Sequence, residues 1–207
     1  MLRGCPIAQP RALIPFLSAS DLSIGRGDRT LLSGLNLSIS PGDVLHLRGR
    51  NGAGKSSLIE VLVGLRPARG GTLKRPAADQ FHWIGHRNAL NSDLGVRENL
   101  EGWCALNGVA ASGIAAALER TGLARLRHRQ VRTLSAGQKR RAALTRLLLA
   151  QRPLWLLDEP LSGLDGEGLA LLGQLMNEHV AGDGGIVVTS HQSLPGRLPR
   201  VTIIDLG

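Results

Sequence analysis

The sequence predicts an α/β fold: a mostly parallel sheet, preceded by an antiparallel β layer and interrupted by an inserted helical subdomain. Three observations carry that expectation. Gly49-Arg50-Asn51-Gly52-Ala53-Gly54-Lys55-Ser56 is an uninterrupted G-x-x-x-x-G-K-S run that follows an apolar stretch and opens a helical one. Leu154-Trp155-Leu156-Leu157 is a short apolar run ending in Asp158-Glu159-Pro160, the pattern of a buried strand with carboxylates at its carboxyl end. Between them, from about His86 to Val131, alternation gives way to helical spacing. Strands and helices in that order read as one α/β unit, and 207 residues suffice for one domain with a sizeable core.

Taken in order, Met1 to Leu17 reads as a loose amino-terminal extension. Its Arg3 and Arg11 and the apolar stretch Ala12 to Leu17 imitate an export signal, but Pro10 and Pro15 interrupt it. The domain is expected to span 18–207. Apolar alternation in Ala19 to Ile24 and Leu35 to Ile39 predicts two half-exposed strands, and Pro41-Gly42-Asp43 turns the chain into a third, Val44 to Leu47, completing the antiparallel layer. Lys55 to Gly64 has helical spacing and stops at a glycine. A strand pair follows at Gly71 to Lys74 and Phe81 to Ile84. The helical subdomain is placed at about 86–133, with Leu100, Trp103, Cys104 and Leu106 on one face and Ile114, Ala117 and Leu118 on another. Gln138 to Ala150 and Glu167 to Val180 are expected helices; Leu154 to Leu157, Ile186 to Thr189 and Val201 to Ile204 are expected strands of the parallel sheet.

Composition narrows the class of function. No apolar run approaches the roughly 20 residues that span a bilayer, and a mean hydropathy of +0.01 is a globular value. Cys5 and Cys104 form no C-x-x-C pair, so reducing cytosol is the simplest compartment. The formal charge of +9 comes almost wholly from arginine, dense between Arg120 and Arg146. A solvated basic face explains it more simply than a nucleic-acid footprint, because Phe16, Phe81, Trp83, Trp103 and Trp155 are too few and scattered to stack bases.

The chemistry lies in the two motifs. Gly49, Gly52 and Gly54, with Asn51 and Ala53 between them, let backbone N–H groups turn toward a phosphate, and the helix that follows adds its positive end. Lys55 supplies a cation for β and γ phosphates; Ser56 can place its hydroxyl on Mg²⁺, and Ser57 continues the phosphate-facing turn. Asp158, at the carboxyl end of its strand, is expected to hold the Mg²⁺ shell through water, and Glu159 to polarise the attacking water as general base. ATP and Mg²⁺ are therefore the expected cofactors.

Leu134-Ser135-Ala136-Gly137-Gln138, lying between those motifs, resembles the signature of the ATP-binding cassette (ABC) family of P-loop nucleotide hydrolases. The resemblance covers about residues 18 to 207. It implies an ATPase whose cassettes pair head to tail, so that Ser135, Gly137 and Gln138 of each close over ATP held by the Lys55 loop of the other. Ser162-Gly163-Leu164-Asp165 looks like the family's loop across that interface, and His191, in Val188-Thr189-Ser190-His191, like its γ-phosphate switch histidine. Two positions depart from the family's pattern. Arg26 stands where an aromatic commonly stacks on adenine; its guanidinium plane can still stack on a base, and weak adenine selectivity is expected. His86, in Gly85-His86-Arg87-Asn88, stands where a glutamine normally senses metal and γ-phosphate. His86, the short cassette and Gln138-Lys139-Arg140-Arg141 are similar to the ATP-binding subunits of bacterial cytochrome c maturation haem exporters. That likeness implies integral membrane permease subunits as partners, a peripheral position on the cytoplasmic face of the inner membrane, and haem as a partner's cargo, with no haem ligand and no nucleic acid bound by this chain. The residues leave open another small-molecule or lipid ABC transporter, or a soluble cassette acting on nucleic acid or ribosomes.

Overall fold

The computed structural model describes residues 14–207, so the export-like residues Arg3, Pro10 and Arg11, Cys5 and most of the expected extension lie outside the described part. Two sheets and a helical lobe organise the rest. Strands β1 (Leu17–Arg26) and β2 (Arg29–Ile39) form a long antiparallel hairpin turned by Gly27 and Asp28. After β3 (Val44–Arg48), the glycine loop leads into helix α1 (Lys55–Leu62), and β4 (Gly70–Lys74) returns to pair with β1. The antiparallel sheet therefore has the order β2-β1-β4.

The second sheet is parallel. Its strands are β5 (Phe81–Ile84), β6 (Leu154–Asp158), β7 (Gly185–Thr189), β3 and β8 (Val201–Asp205), in the order β5-β6-β7-β3-β8. All residues of β6 and β7 are buried, as are Val44 to Leu47 of β3, which suits strands covered on both faces. Two expectations are corrected here. Val44 to Leu47 does not complete the antiparallel layer: buried on both faces, His46 included, it sits between β7 and β8 in the parallel sheet. Gly71 to Lys74 and Phe81 to Ile84 do not pair with each other; β4 joins β1 and β5 joins β6, placing them in different sheets.

Between β5 and β6 lie helices α2 (Val96–Asn107), α3 (Ile114–Arg120) and α4 (Ala136–Leu144), the last continued by a 3₁₀ turn at Thr145–Leu148. Helix α5 (Gly166–Ala181) packs on the parallel sheet, its Leu172, Leu175, Met176 and Val180 joining Trp155, Leu157, Ile186 and Val188. A separate apolar cluster holds the lobe together: Val96, Leu100 and Cys104 of α2, Ile114 and Leu118 of α3, with Leu123, Val131, Leu134 and Ala142. Burying each valine, leucine or isoleucine of this cluster stabilises by roughly 1.5–3 kcal/mol relative to exposure. Leu106 does not share that face and is 89% exposed. At about 100° per residue it lies some 200° round the helix from Cys104, so the face expectation fails at this residue by simple rotation.

His82 and Trp103 tie the lobe to the sheet. The His82 ring, on β5, stacks on Trp103 of α2 with centroids 5.7 Å apart, while its Nε2 donates to Ala150 O at 2.8 Å. Arg152 covers the Trp103 ring at 5.5 Å. Burial pushes the His82 pKa down from 6.5 to about 4, against the carbonyl bond that favours the charged ring.

Candidate functional site

The carboxyl ends of β3, β5, β6 and β7 meet at one cleft. β3 feeds the loop, and Gly49, Gly52 and Gly54 take φ values of 145°, 88° and 99°, a backbone that side chains rarely adopt. Gly54 precedes α1, whose first turn carries no acidic residue, so its free N–H groups face the cleft unopposed. Arg26, Asn51, Gly52, Gly54, Lys55, Ser56, Ser57, His86, Glu159 and His191 line a single cavity of about 480 Å³, joined by Leu31 and Ser162. Gly49 and Ala53 shape the loop from behind, the Ala53 N–H donating to Arg50 O at 3.1 Å.

Lys55 is almost fully buried and parked within the loop. Its Nζ donates to Gly49 O at 2.7 Å and Arg50 O at 3.2 Å, and lies 3.6 Å from Glu159 Oε1. Glu159 in turn places Oε2 at 3.2 Å from His191 Nδ1. The carboxylate thus sits between a fixed cation and an imidazole, 13% exposed against 57% for His191. Glu159 also has φ 48°, a left-handed conformation that costs a non-glycine residue of order 1 kcal/mol or more. The extended strand ends one residue earlier, and that twist turns the carboxylate out of the sheet.

Asp158, the strand's last residue, is buried beside Ser56. Its Oδ1 accepts from Ser56 Oγ at 3.1 Å and from Thr189 Oγ1 at 2.7 Å. Thr189 Oγ1 also accepts the Glu159 N–H at 2.8 Å, so one hydroxyl holds the Asp158 carboxylate and the Glu159 main chain. The in-register pairing of Asp158 with Thr189 across β6 and β7 makes this possible. Sequence reasoning did not single out Thr189; its place at the end of a buried strand, two residues before His191, was the available signal. Ser56 Oγ and Asp158 Oδ1 form a compact set of hard oxygen donors, which fits a Mg²⁺ ion that keeps most of its shell as water and phosphate oxygens.

Ser135, Gly137, Gln138 and Asp165 stand apart from the cavity. Ser135 caps α4: its Oγ accepts from Gln138 N at 3.2 Å, and the Gln138 amide oxygen accepts from Ser135 N at 3.0 Å. This capping box leaves the Ser135 hydroxyl hydrogen free to donate. Gly137 lies against the loop after β6, where an added Cβ would come within 2.9 Å of Gly163 O. Asp165 caps α5 by accepting from Gly168 N at 2.8 Å and faces Arg141 at 3.8 Å. The structure therefore gathers the predicted residues into two surfaces, not one.

A second residue with no assigned role in the sequence reading is Arg140, buried to 3% exposure behind the carboxylates. Burial lowers its pKa to about 10, with Asp158 and Glu159 partly offsetting that, and it stays charged at neutral pH. In sequence it is one of a run of basic residues, which reads as surface.

Strand, phosphate loop, helix, acidic strand end and a capped signature helix define an ATP-binding cassette. The ABC transporter family profile matches residues 32–162. The cytochrome c biogenesis ATP-binding export protein CcmA of Methylococcus capsulatus is 46% identical over 193 residues, covering 87% of this chain and 93% of that protein. The CcmA protein of Hyphomonas neptunium is 44% identical over 179 residues, 86% of this chain and 91% of its own length. The chain therefore belongs to the ABC transporter family and, within it, to the cytochrome c biogenesis ATP-binding export proteins. Among solved structures, an ATP-binding subunit of an ABC transporter superposes with a TM-score of 0.77 at 28% identity, over 85% of this chain and 79% of that one. A Pyrococcus furiosus ABC ATP-binding protein shares the fold at a TM-score of 0.79, covering 92% of this chain and 96% of its own. Among the described residues, no helix is long and apolar enough to cross a membrane.

Proposed function

We propose that the chain is the ATP-hydrolysing subunit of a membrane complex in cytochrome c biogenesis, working as a head-to-tail dimer on integral membrane permease subunits and powering haem export or release of a haem-loaded chaperone. The observation that carries the chemistry is the Lys55, Glu159 and His191 cluster at the mouth of the glycine loop. Incoming phosphates compete with Glu159 and the loop carbonyls for Lys55, which leaves Glu159 free to turn to water. Water attacks the γ-phosphorus, the bond to the β–γ bridging oxygen breaks, and the proton leaves toward Glu159, giving ADP and inorganic phosphate. Ser56 and Asp158 are the residues to hold Mg²⁺, which when bound offsets phosphate charge. His191, His86 and Arg26 line the same cavity, and in this reading the two histidines serve the γ-phosphate and Arg26 the base.

Ser135, Gly137 and Gln138 lie off the cavity that holds Lys55 in their own chain, which supports a dimer in which each Ser135 donates to ATP held by the other copy. The lobe within 86–133, joined to the cavity through the His86 loop, is the natural contact for permease subunits, placing the chain peripherally on the cytoplasmic face of the inner membrane. Haem then belongs to those partners. Mild-detergent purification of the tagged chain from its native membrane, with mass spectrometry and a haem absorption scan, tests this. Cytochrome c maturation membrane subunits, with haem present only when they are, are the expected outcome. Unrelated permeases, or ribosomes or DNA without membrane protein, would discard the haem role.

A further inference from the structure

Arg140 sits on α4, two residues beyond Gln138 of the signature, yet all its contacts lie in the other half-site. Nε donates to Pro160 O at 3.2 Å. Nη2 donates to Asp158 O at 2.8 Å and to Glu159 O at 3.0 Å. Nη1 donates to Gly85 O at 2.9 Å and to Asn88 Oδ1 at 3.0 Å. An arginine has five N–H donors in a fixed fork, and here each has an acceptor. Three successive carbonyls of the turn that carries Glu159 are gripped at once, including that of the left-handed residue itself. The remaining two bonds bracket His86 between Gly85 and Asn88. Arg146, further along the same segment, makes a single bond to the same loop, donating to Ala89 O at 2.6 Å, at another residue with positive φ, 50°.

A left-handed glutamate persists only where its surroundings over-determine it; here the Thr189 hydroxyl holds the Glu159 N–H and the guanidinium holds its carbonyl and those on either side. We propose that Arg140 is a positioning residue for hydrolysis. It clamps the Glu159 turn and the His86 loop to the signature helix, so that a helix seated on a second copy's ATP sets the geometry of the carboxylate and the sensor in its own chain. This rests on the reading of Glu159 as base and of the signature as a contact made in the dimer. Arg140 touches no substrate; it acts through the main chain of the groups that do.

The test uses the complex as isolated from its membrane, with ATP affinity and turnover measured separately. Arg140→Gln is expected to lower kcat by about 10²-fold, the cost of a roughly 1 Å misplacement of a catalytic group, with the Kd for ATP changed less than about threefold. Arg140→Lys, which keeps the charge but offers three donors, should not restore the rate. On a Glu159→Gln background, Arg140→Gln should change the residual rate less than about twofold, because both act on one step. A folded Arg140→Gln with normal kcat, a loss confined to ATP affinity, or full additivity with Glu159→Gln would each overturn the proposal. Should Arg140→Gln fail to fold, Asn88→Leu removes a single acceptor of the fork. It is expected to lower kcat by a few-fold at constant affinity, and an unchanged kcat would overturn the proposal. Absence of ATP hydrolysis by the unmodified complex would instead strike at the function reading itself.

Discussion

The glycine-loop face and the signature face carry comparable chemistry but are finished to different degrees. Around Lys55 the charged groups of the two motifs already have protein partners: the lysine is held by two carbonyls and Glu159, Glu159 by His191, and Asp158 by Ser56 and Thr189. Around Ser135 the polar groups satisfy only the local helix start, and Ser135 and Ala136 are exposed. An anion site that is pre-wired for reset in one place and open in the other is what a site split between two copies requires, since each phosphate must displace contacts on one side and meet free donors on the other.

Glu159→Gln breaks the comparison hardest. The amide cannot take a proton, so turnover should fall by about 10²–10⁴-fold, or about 3–5 kcal/mol of barrier. The neutral amide no longer pulls Lys55 away from phosphate, so ATP should bind at least as tightly and dimers should accumulate. Light scattering with ATP alongside a phosphate-release assay reads both; normal turnover removes Glu159 as base. Gly137→Ala acts on the other face. Its Cβ would press on Gly163 O at 2.9 Å, shifting the signature relative to the loop after β6. Turnover should drop by about 10²-fold while ATP affinity at low protein concentration is unchanged. Equal losses in both quantities would show that the two faces are not separable.

The glycine-loop face was far more legible in sequence than the way the two faces are joined. A phosphate cradle needs glycines at fixed spacing, a lysine and a helix start, and these are contiguous, so Gly49 to Ser57 could be read directly. Asp158 and Glu159 followed from one apolar run. The sheet assignment of Val44 to Leu47 was not readable, because a four-residue strand does not reveal its neighbours, and those, β7 and β8, come more than a hundred residues later. Arg140 was hidden for a related reason: its five acceptors are main-chain or loop groups brought in from β5 and β6, and only folding distinguishes it from the solvated arginines around it. Leu106 shows the opposite error, where an apolar residue was enrolled in a face its helical phase excludes.

The join has a second tether, His82 on Trp103, and acid should loosen it. With a folded pKa of about 4 against an ordinary 6.5, the unfolded chain binds more protons between those values. Stability is therefore flat above about pH 6.5 and falls as pH drops toward 4, by about 2 kcal/mol at pH 5 from this residue. His179, stacked on Trp155 and lowered to about 4 by burial, adds in the same direction. His82→Gln keeps an N–H for Ala150 O but does not titrate, so urea unfolding between pH 5 and 7 should show a shallower slope than the unmodified chain. Identical slopes would mean that His82 gains no proton on unfolding in this range.

Arg26→Ala is the mildest change and tests the edge of the glycine-loop face. Arg26 ends β1 at the rim of the cavity, and the turn beside it is held by Arg69, which donates to Gly27 O, to Asp28 O at 3.2 Å and to Thr30 Oγ1 at 3.2 Å. The rim is thus fixed while the Arg26 side chain is left to reach a base. A guanidinium stacked on an exposed ring contributes about 0.5–1 kcal/mol, so ATP affinity should weaken about two- to fivefold, with kcat at saturation unchanged. Stacking also reads a flat ring without reading its edges, so GTP should lose affinity by a similar factor and the ATP to GTP ratio should stay near its starting value. Arg26→Tyr should recover the affinity by the same stacking. A large fall in kcat would instead place Arg26 near the phosphates, and no change in affinity for either nucleotide would remove it from the base contact.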